Sequence, residues 1–313
     1  MNLFFIYATI KNCLFLQIGI GISANFFLFL FCIFILPLDH RVKPTDLTIC
    51  HLAFIHIVKF FIAVLMGSPE LFESLNFQND LKCKAFFYLS RVIKDLSICT
   101  TSLLSMLQAI TISPSTSWLA RFKHKSTDYN IHVLFFLWSL TLSFNSSMIF
   151  YTVATSNVTQ TNLLNIDKYC SLSPMSSIIR GLLFTLSLAR HVSFVGVMLL
   201  SSAYMAILLL RHERRSQHLH STRLPSKASP EKRATKTILL LVSCFVVMYW
   251  VDFIISFYSI MLWAYGPVIR NVQSLVVNTY ATVSPLVLLS SDKRIINILQ
   301  NIQEKWHKIK IIL

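Results

Sequence analysis

Apolar residues recur along this chain in long runs, separated by short polar stretches, and that spacing sets the expected architecture. A helix needs about 20 mostly apolar residues to cross the hydrocarbon of a bilayer. Seven runs meet the requirement. They are 13–36, stopping before Pro37; 46–67, ending near Gly67 and Pro69; 84–112, ending before Pro114; 131–154; one within 178–210; 237–263; and 268–290. The fifth run is too long for one upright span, so its outer end is expected to project from the membrane. After the seventh, DKRIINILQNIQEKWHK (292–308) sets Ile295, Ile298, Leu299, Ile302 and Trp306 on one helical face. That pattern fits a helix lying in the interface. The expectation is an all-α membrane protein, a seven-transmembrane helix bundle with a short interfacial helix at its C-terminus. Its parts are a short extracellular tail (1–12), the bundle (13–290), and a cytoplasmic amphipathic helix and tail (291–313).

Composition agrees. Of 313 residues, 55% are hydrophobic and 13% charged, with 25 Phe and 6 Gly; an average soluble domain is about 25% charged. The opening MNLFFIYATIKNCLF reads as an outer tail running into an uncleaved first span. The formal net charge of +15 would suggest nucleic acid in a soluble protein, but here the cations gather in particular loops. One side of the expected bundle carries 18 Lys and Arg, including Arg41, Lys43, Arg121, Lys123 and Lys125, and the other carries 5. The positive-inside rule then puts the N-terminus outside and the C-terminus in the cytoplasm. The most basic stretch, 211–236, contains Arg214, Arg215, Lys232 and Arg233. It serves as a topology signal that touches anionic lipid, and also suits docking of a cytoplasmic partner. His212, His218 and His220 lack the Cys or carboxylate that would complete a metal site, so no metal and no cofactor is expected.

Five of the seven cysteines (Cys13, Cys32, Cys50, Cys99, Cys244) fall in or beside spans. The other two, Cys83 and Cys170, fall on the outer side, where an oxidising exterior suits a disulfide. Asn157-Val158-Thr159 is a glycosylation sequon in the same outer loop. Asn145-Ser146-Ser147 also matches but lies in the fourth run and is expected to be unused.

Within the third run, AFFYLSRVIKDLSICTTSLL, three charges interrupt the apolar pattern. Arg91, Lys94, Asp95, Ile98, Ser102 and Ser105 share one helical face, opposite Leu89, Ile93, Leu96, Leu103 and Leu107. Arg91 and Asp95, four apart, have the spacing of an intrahelical pair, which leaves Lys94 in excess. Lys59, Arg190 and Asp252 are further membrane charges, with His56 and His191 as polar company, and Asp252 suits either Lys94 or Arg190 as partner. A charge at mid-helix costs about 2.5–3.5 kcal/mol and faces the bundle interior. Two roles compete: ion pairs that fix packing, and the lining of a ligand pocket. Arg91 and Asp95 fit either; Lys94, Arg190 and Asp252, on three spans, favour the pocket.

Enzyme chemistry finds no support. Asp95 and Asp252 sit in IKD and VDF, without the Gly-x-Gly-Asp element of an intramembrane aspartyl protease. Absence of a repeat and a single deep proline, Pro285, argue against a transporter. An outer polar pocket, a helix bundle and a basic inner face describe a receptor.

Several segments resemble the vomeronasal type-1 receptors, a pheromone-receptor family of seven-helix G-protein-coupled receptors. They include KPTDLTICHL (43–52), FFYLSRV (86–92), SICTTSLLSMLQAITISPSTSWLARFKHKS (97–126), KYCSLSPM (168–175), VGVMLLSSAYM (195–205), the stretch 211–256 and VNTYATVSPLVLLSSDKRIINIL (277–299). The resemblance implies a small pheromone-like ligand and an inhibitory-class heterotrimeric G protein. The G protein would dock through inner-loop residues such as Arg121, Lys123, Arg214, Arg215, Lys232 and Arg233. It also implies a plasma-membrane location, a Cys83–Cys170 disulfide and glycosylation at Asn157. Asn25 matches the first-helix asparagine of rhodopsin-like receptors. The third span ends without Asp-Arg-Tyr, the seventh has Ser284-Pro285-Leu286-Val287-Leu288 in place of Asn-Pro-x-x-Tyr, and His56 stands where an acid or amide is usual. Bitter-taste receptors share such absences and form one alternative, disfavoured by HSTRLPSKASPEKRATKTILLL; a transporter or channel is the other. A cationic surplus in the pocket would favour ligands with an acidic group.

Overall fold

A computed structural model describes residues 3–34, 44–68, 80–122, 126–154, 164–165, 170–173, 176–219, 230–261, 267–291, 294–297 and 300. Seven long helices carry the chain: α1 Leu3–Phe34, α2 Pro44–Gly67, α3 Asp80–Ile112, α4 Ser126–Asn145, α5 Ser177–Leu219, α6 Pro230–Met261 and α7 Pro267–Ser291. Helical stretches in α1 to α5 and α7 are long and apolar enough to cross a membrane. In α6 the described residues add a shorter apolar stretch, Val242–Ile255, inside a helix of 32 residues. The fold is a seven-helix membrane bundle.

The order of packing follows from which faces are apolar. Helix α1 packs on α2 and α7, α6 on α5 and α7, while α3 touches α2, α4, α5 and α6. In α3 83% of the membrane-length window is buried, against 17–39% in the other five. The central helix therefore needs little lipid-facing surface, which lets its apolar run carry Arg91, Lys94 and Asp95. On the outer helices large side chains such as Phe26, Phe61, Phe135, Phe136, Leu200 and Trp250 are exposed, as expected where the solvent is hydrocarbon. Leu103, Leu107, Leu134 and Leu137 join α3 to α4, and Val195, Met198, Val242, Phe245 and Tyr280 join α5, α6 and α7. Phe60 of α2 is fully buried among Leu14, Ile18, Ala63 and Ala281. A Cβ at Gly21 of α1 would sit 2.2 Å from the Phe60 ring, so any side chain there would have to displace that buried ring.

Between α4 and α5 the chain forms a small antiparallel sheet in the order β1-β3-β2, from β1 Thr152–Ala154, β2 Leu164–Asn165 and β3 Cys170–Leu172. Ala154 pairs with Cys170 and Thr152 with Leu172, and β1 packs against α3. Near the start of α3 Cys83 is buried and disulfide-bonded.

Several boundaries differ from the sequence reading, each for a local reason. Helix α1 begins at Leu3 rather than 13, because LFFIYATIKN has no Gly or Pro to stop it. Helix α4 ends at Asn145, where the expected run continued to 154, and a short helix, Ser147–Tyr151, follows. Ser and Asn there bond their own backbone, Ser146 Oγ to the Ser143 carbonyl and Asn145 Nδ2 to the Thr141 carbonyl, which competes with continued helix. Helix α5 runs 43 residues, about 64 Å at 1.5 Å per residue. Its last turns carry Arg211, Arg214 and Arg215, and α6 starts at Pro230, so Lys232 and Arg233 are also helical. The described ends of the basic stretch are thus helical extensions of α5 and α6. At the end opposite the sheet, Arg294 makes a bidentate bond to the buried Asp46 carboxylate at 3.0 and 2.9 Å, and Ile295 packs with Leu28, Phe31 and Ala53. Residues 294–297 are helical; most of the expected interfacial helix, with Lys123 and Asn157, lies outside the described residues.

Candidate functional site

Lys94 and Asp95 are neighbours on α3, and adjacent helical residues point about 100° apart. That geometry sends them into two separate clusters. Asp95 faces α4 and α5. Its Oδ1 meets His191 Nε2 at 2.9 Å, and its Oδ2 accepts from Asn145 Nδ2 at 2.7 Å and from an Arg190 NH2 group. Both partners of the Arg190–Asp95 ion pair are buried, with side chains 9% and 4% exposed. The Arg190 guanidinium also lies over the Phe144 ring, 5.3 Å from its centre. Its Nε and NH1 have no hydrogen-bond partner among the described residues.

Lys94 instead faces α6 and α7. Its Nζ donates to Asp252 Oδ2 at 2.6 Å, and Gln273 Nε2 donates to Asp252 Oδ1 at 2.9 Å. Beside this pair is a cavity of about 40 Å³ lined by Lys59, Lys94, Ser97, Tyr249, Asp252 and Tyr280, among others. A water position needs about 10–15 Å³ on this measure, so the space takes about three water-sized groups. Ligand pockets for drug-sized molecules run to about 300–1,000 Å³, far more than this cavity provides. Lys59 Nζ donates to the Val277 carbonyl at 2.8 Å and makes no ion pair among the described residues.

The sequence reading therefore needs two corrections. Arg91 does not pair with Asp95: it is exposed, one turn from Lys94 and Asp95 toward the start of α3. A buried carboxylate is better matched by Arg190 and His191, which are themselves withdrawn from solvent. The surplus cation is not Lys94, which has Asp252, but Lys59. Arg190 and Asp252 are in the interior as expected, in different clusters. Among the described residues no group of three or more His, Cys, Asp and Glu could hold a metal.

The sequence reading missed the polar residues that complete these clusters. Asn145 appeared only as part of a sequon. Gln273, Val277, Tyr280 and Ser284 follow the i, i+4, i+7, i+11 pattern of one α7 face, and that periodicity was the available signal. His56 marks a third polar centre. Its Nδ1 lies 3.3 Å from Asn25 Oδ1, and its Nε2 lies 3.3 Å from Ser97 Oγ. With Nδ1–H donating to Asn25, Nε2 accepts from Ser97. Asn25 Nδ2 donates to the Gly21 and Ala281 carbonyls at 2.8 and 2.9 Å. The imidazole thus ties α1, α2 and α3 together at the position where rhodopsin-like receptors usually carry an acid or amide.

At the end opposite the sheet, Ser113 Oγ and Tyr204 Oη join α3 to α5 at 2.8 Å. The adjoining 3-10 helix, Trp118–Phe122, exposes Trp118, Phe122 and Arg121. Arg214 is exposed on the extension of α5. Arg215, Lys232 and Arg233 are placed by their helical backbone alone.

A seven-helix bundle with a charged interior and a basic, aromatic face at one end has the build of a membrane receptor. The family model for the vomeronasal organ pheromone receptor family matches residues 8–301. Vomeronasal type-1 receptor 90 of Rattus norvegicus is 44% identical over 290 residues, covering 92% of each chain. Vomeronasal type-1 receptors 45 and 48 of Mus musculus are each 40% identical over 294 residues, 94% of this chain and 92% and 97% of theirs. The chain belongs to the vomeronasal type-1 receptor family. It is a multi-pass chemosensory receptor of the G-protein-coupled class, not an enzyme, and membership in this family decides against a bitter-taste receptor, a transporter or a channel.

Proposed function

We propose that this chain is a plasma-membrane pheromone receptor with its N-terminus outside and its C-terminus in the cytoplasm. It takes a small molecule at the sheet end of the bundle and activates an inhibitory-class G protein at the other. The orientation rests on the 18-to-5 partition of Lys and Arg. The sheet then covers the outer mouth, held by a Cys83–Cys170 disulfide. Three facts support that pairing: Cys83 is disulfide-bonded, the other five described cysteines are free, and β1 both pairs with Cys170 and packs on α3. The sequon at Asn157 lies in the same loop and would be glycosylated.

The single observation that carries the ligand reading is the Lys94–Asp252 pair beside the cavity between α3, α6 and α7. A ligand would seat its body toward Arg91 and the sheet and direct a polar or acidic group at Lys94. Asp252 and Gln273 set the position of the Lys94 ammonium. Asp95 and Arg190 shape the site from the far side of α3, because His191 touches Tyr249 edge-on, 5.7 Å between ring centres, and Tyr249 lines the cavity. At the inner end, Arg121, Lys123, Arg214, Arg215, Lys232 and Arg233 would meet the G protein, with Trp118 and Phe122 as apolar contacts. Cation-rich extensions of α5 and α6 would also meet anionic lipid.

The test is a G-protein activation screen in cells with surface level verified, using carboxylate-bearing, steroid-like and neutral volatile compounds. A response to carboxylate-bearing compounds that Lys94→Gln weakens at unchanged surface level is the expected result. An unaltered dose–response in Lys94→Gln would overturn the ligand reading.

A further inference from the structure

Three charged side chains line the cavity between α2, α3, α6 and α7: Lys59, Lys94 and Asp252. Asp252 is committed to Lys94 and Gln273. Asp95, the next carboxylate on α3, is turned to the far side and committed to Arg190, His191 and Asn145. Among the described residues Lys59 is left with one backbone carbonyl as partner. An ammonium has three N–H donors, so two of the three on Lys59 remain for the cavity. A cation held in a membrane helix without a counter-charge costs about 2.5–3.5 kcal/mol, and Lys94 nearby adds like-charge repulsion. The cavity is too small for an organic ligand but fits a group of a few heavy atoms.

We propose that the cavity is a small-anion site, in which Lys59 and Lys94 together hold one monovalent anion, a halide or a carboxylate. Such an anion restores charge balance among the lining groups, and Lys59 and the Tyr249 and Tyr280 hydroxyls supply donors around it. The same chemistry has two sources, a free ion such as chloride or the head group of an organic ligand. Only the second source rests on the function proposed above. The first stands whether or not the receptor responds to any compound tested.

The experiment uses the full-length receptor in lipid nanodiscs, with thermal unfolding followed by intrinsic fluorescence. Sodium chloride is exchanged at constant ionic strength for sodium gluconate, a carboxylate whose bulky, hydrated polyol chain keeps its head group out of a cavity of this size. A site that binds the folded state alone raises the midpoint with free ligand, by roughly 3–6 °C at ten times the dissociation constant. The expected result is a saturable rise with chloride or formate in the wild type and a flat response in Lys59→Met, whose midpoint in gluconate equals or exceeds that of the wild type. A merely structural Lys59 would give the opposite sign, a lower midpoint in both salts. Hexanoate against hexanamide separates the sources. If hexanoate stabilises at lower concentration than formate and chloride competes with it, an organic head group is the occupant; if chloride and formate alone act, it is a free ion. Equal wild-type midpoints in chloride, formate, hexanoate and gluconate, or an anion dependence that survives in Lys59→Met, would overturn the proposal. Lys59→Gln is read in the same way should Lys59→Met not yield purified receptor.

Discussion

Two buried carboxylates, Asp95 and Asp252, answer two kinds of demand, although both meet charges reached from α3. Around Asp95 every carboxylate oxygen is engaged by a side chain from α4 or α5, and an aromatic ring covers the guanidinium. Around Asp252 the pair borders a cavity, Lys94 remains 27% exposed at its side chain, and Lys59 brings an additional cation. The first cluster joins three helices with one carboxylate at the junction. The second keeps charge next to empty space, which a structural pair has no need of. Burial of an ion pair is by itself weak evidence of stabilisation; the presence or absence of a cavity separates the two roles here.

The largest effect that would break this comparison concerns Asp95. Asp95→Leu leaves Arg190 buried without a carboxylate, and breaking a buried pair costs about 3–5 kcal/mol. The expected outcome is a steep loss of surface receptor in flow cytometry and a lower thermal midpoint in purified protein, with no rescue by any anion. The next effect tests the packing of α1 against α2. Gly21→Val drives a side chain into the Phe60 ring, and overpacking of this kind costs about 1–3 kcal/mol. The double variant Gly21→Val with Phe60→Leu should recover part of the lost thermal stability, because the smaller side chain at position 60 relieves the clash.

A smaller coupling is expected at the cavity. Contacting charged residues couple by about 0.5–3 kcal/mol, and Lys94 with Asp252 should fall in the lower half of that range because Lys94 is partly exposed. A thermal double-mutant cycle with Lys94→Met and Asp252→Leu measures it; a coupling near the upper limit would make this pair as structural as the first. The smallest effect is that of Arg91→Gln. An exposed residue away from such features changes stability within about 0.5 kcal/mol, so midpoint and surface level should match the wild type.

Much of the architecture was legible in the hydrophobic runs because lipid imposes a length on each helix and a sign bias on each loop. The boundaries that shifted are those that the length of an apolar run does not fix: Leu3 to Lys11, the Asn145–Ser146 break, and the helical extensions carrying Arg214 and Lys232. The candidate site was legible residue by residue but not pair by pair. Spacing along one helix favours Arg91 with Asp95, whereas the partners that engage Asp95 come from positions 145, 190 and 191, fixed only when α4 and α5 pack on α3. Lys59 stood out as a membrane charge. Its lack of a carboxylate partner among the described residues emerges only from the three-dimensional allocation of Asp95 and Asp252.

The division between a scaffold pair and a responsive pair is tested most directly by activation dose–responses of Lys94→Gln and Asp95→Asn, each normalised to surface receptor, with the first carboxylate-bearing agonist the screen yields. The account predicts that Lys94→Gln keeps near-normal surface level yet needs about tenfold more agonist, equivalent to about 1.4 kcal/mol, while Asp95→Asn loses surface receptor first. A Lys94→Gln receptor with the wild-type dose–response would contradict it.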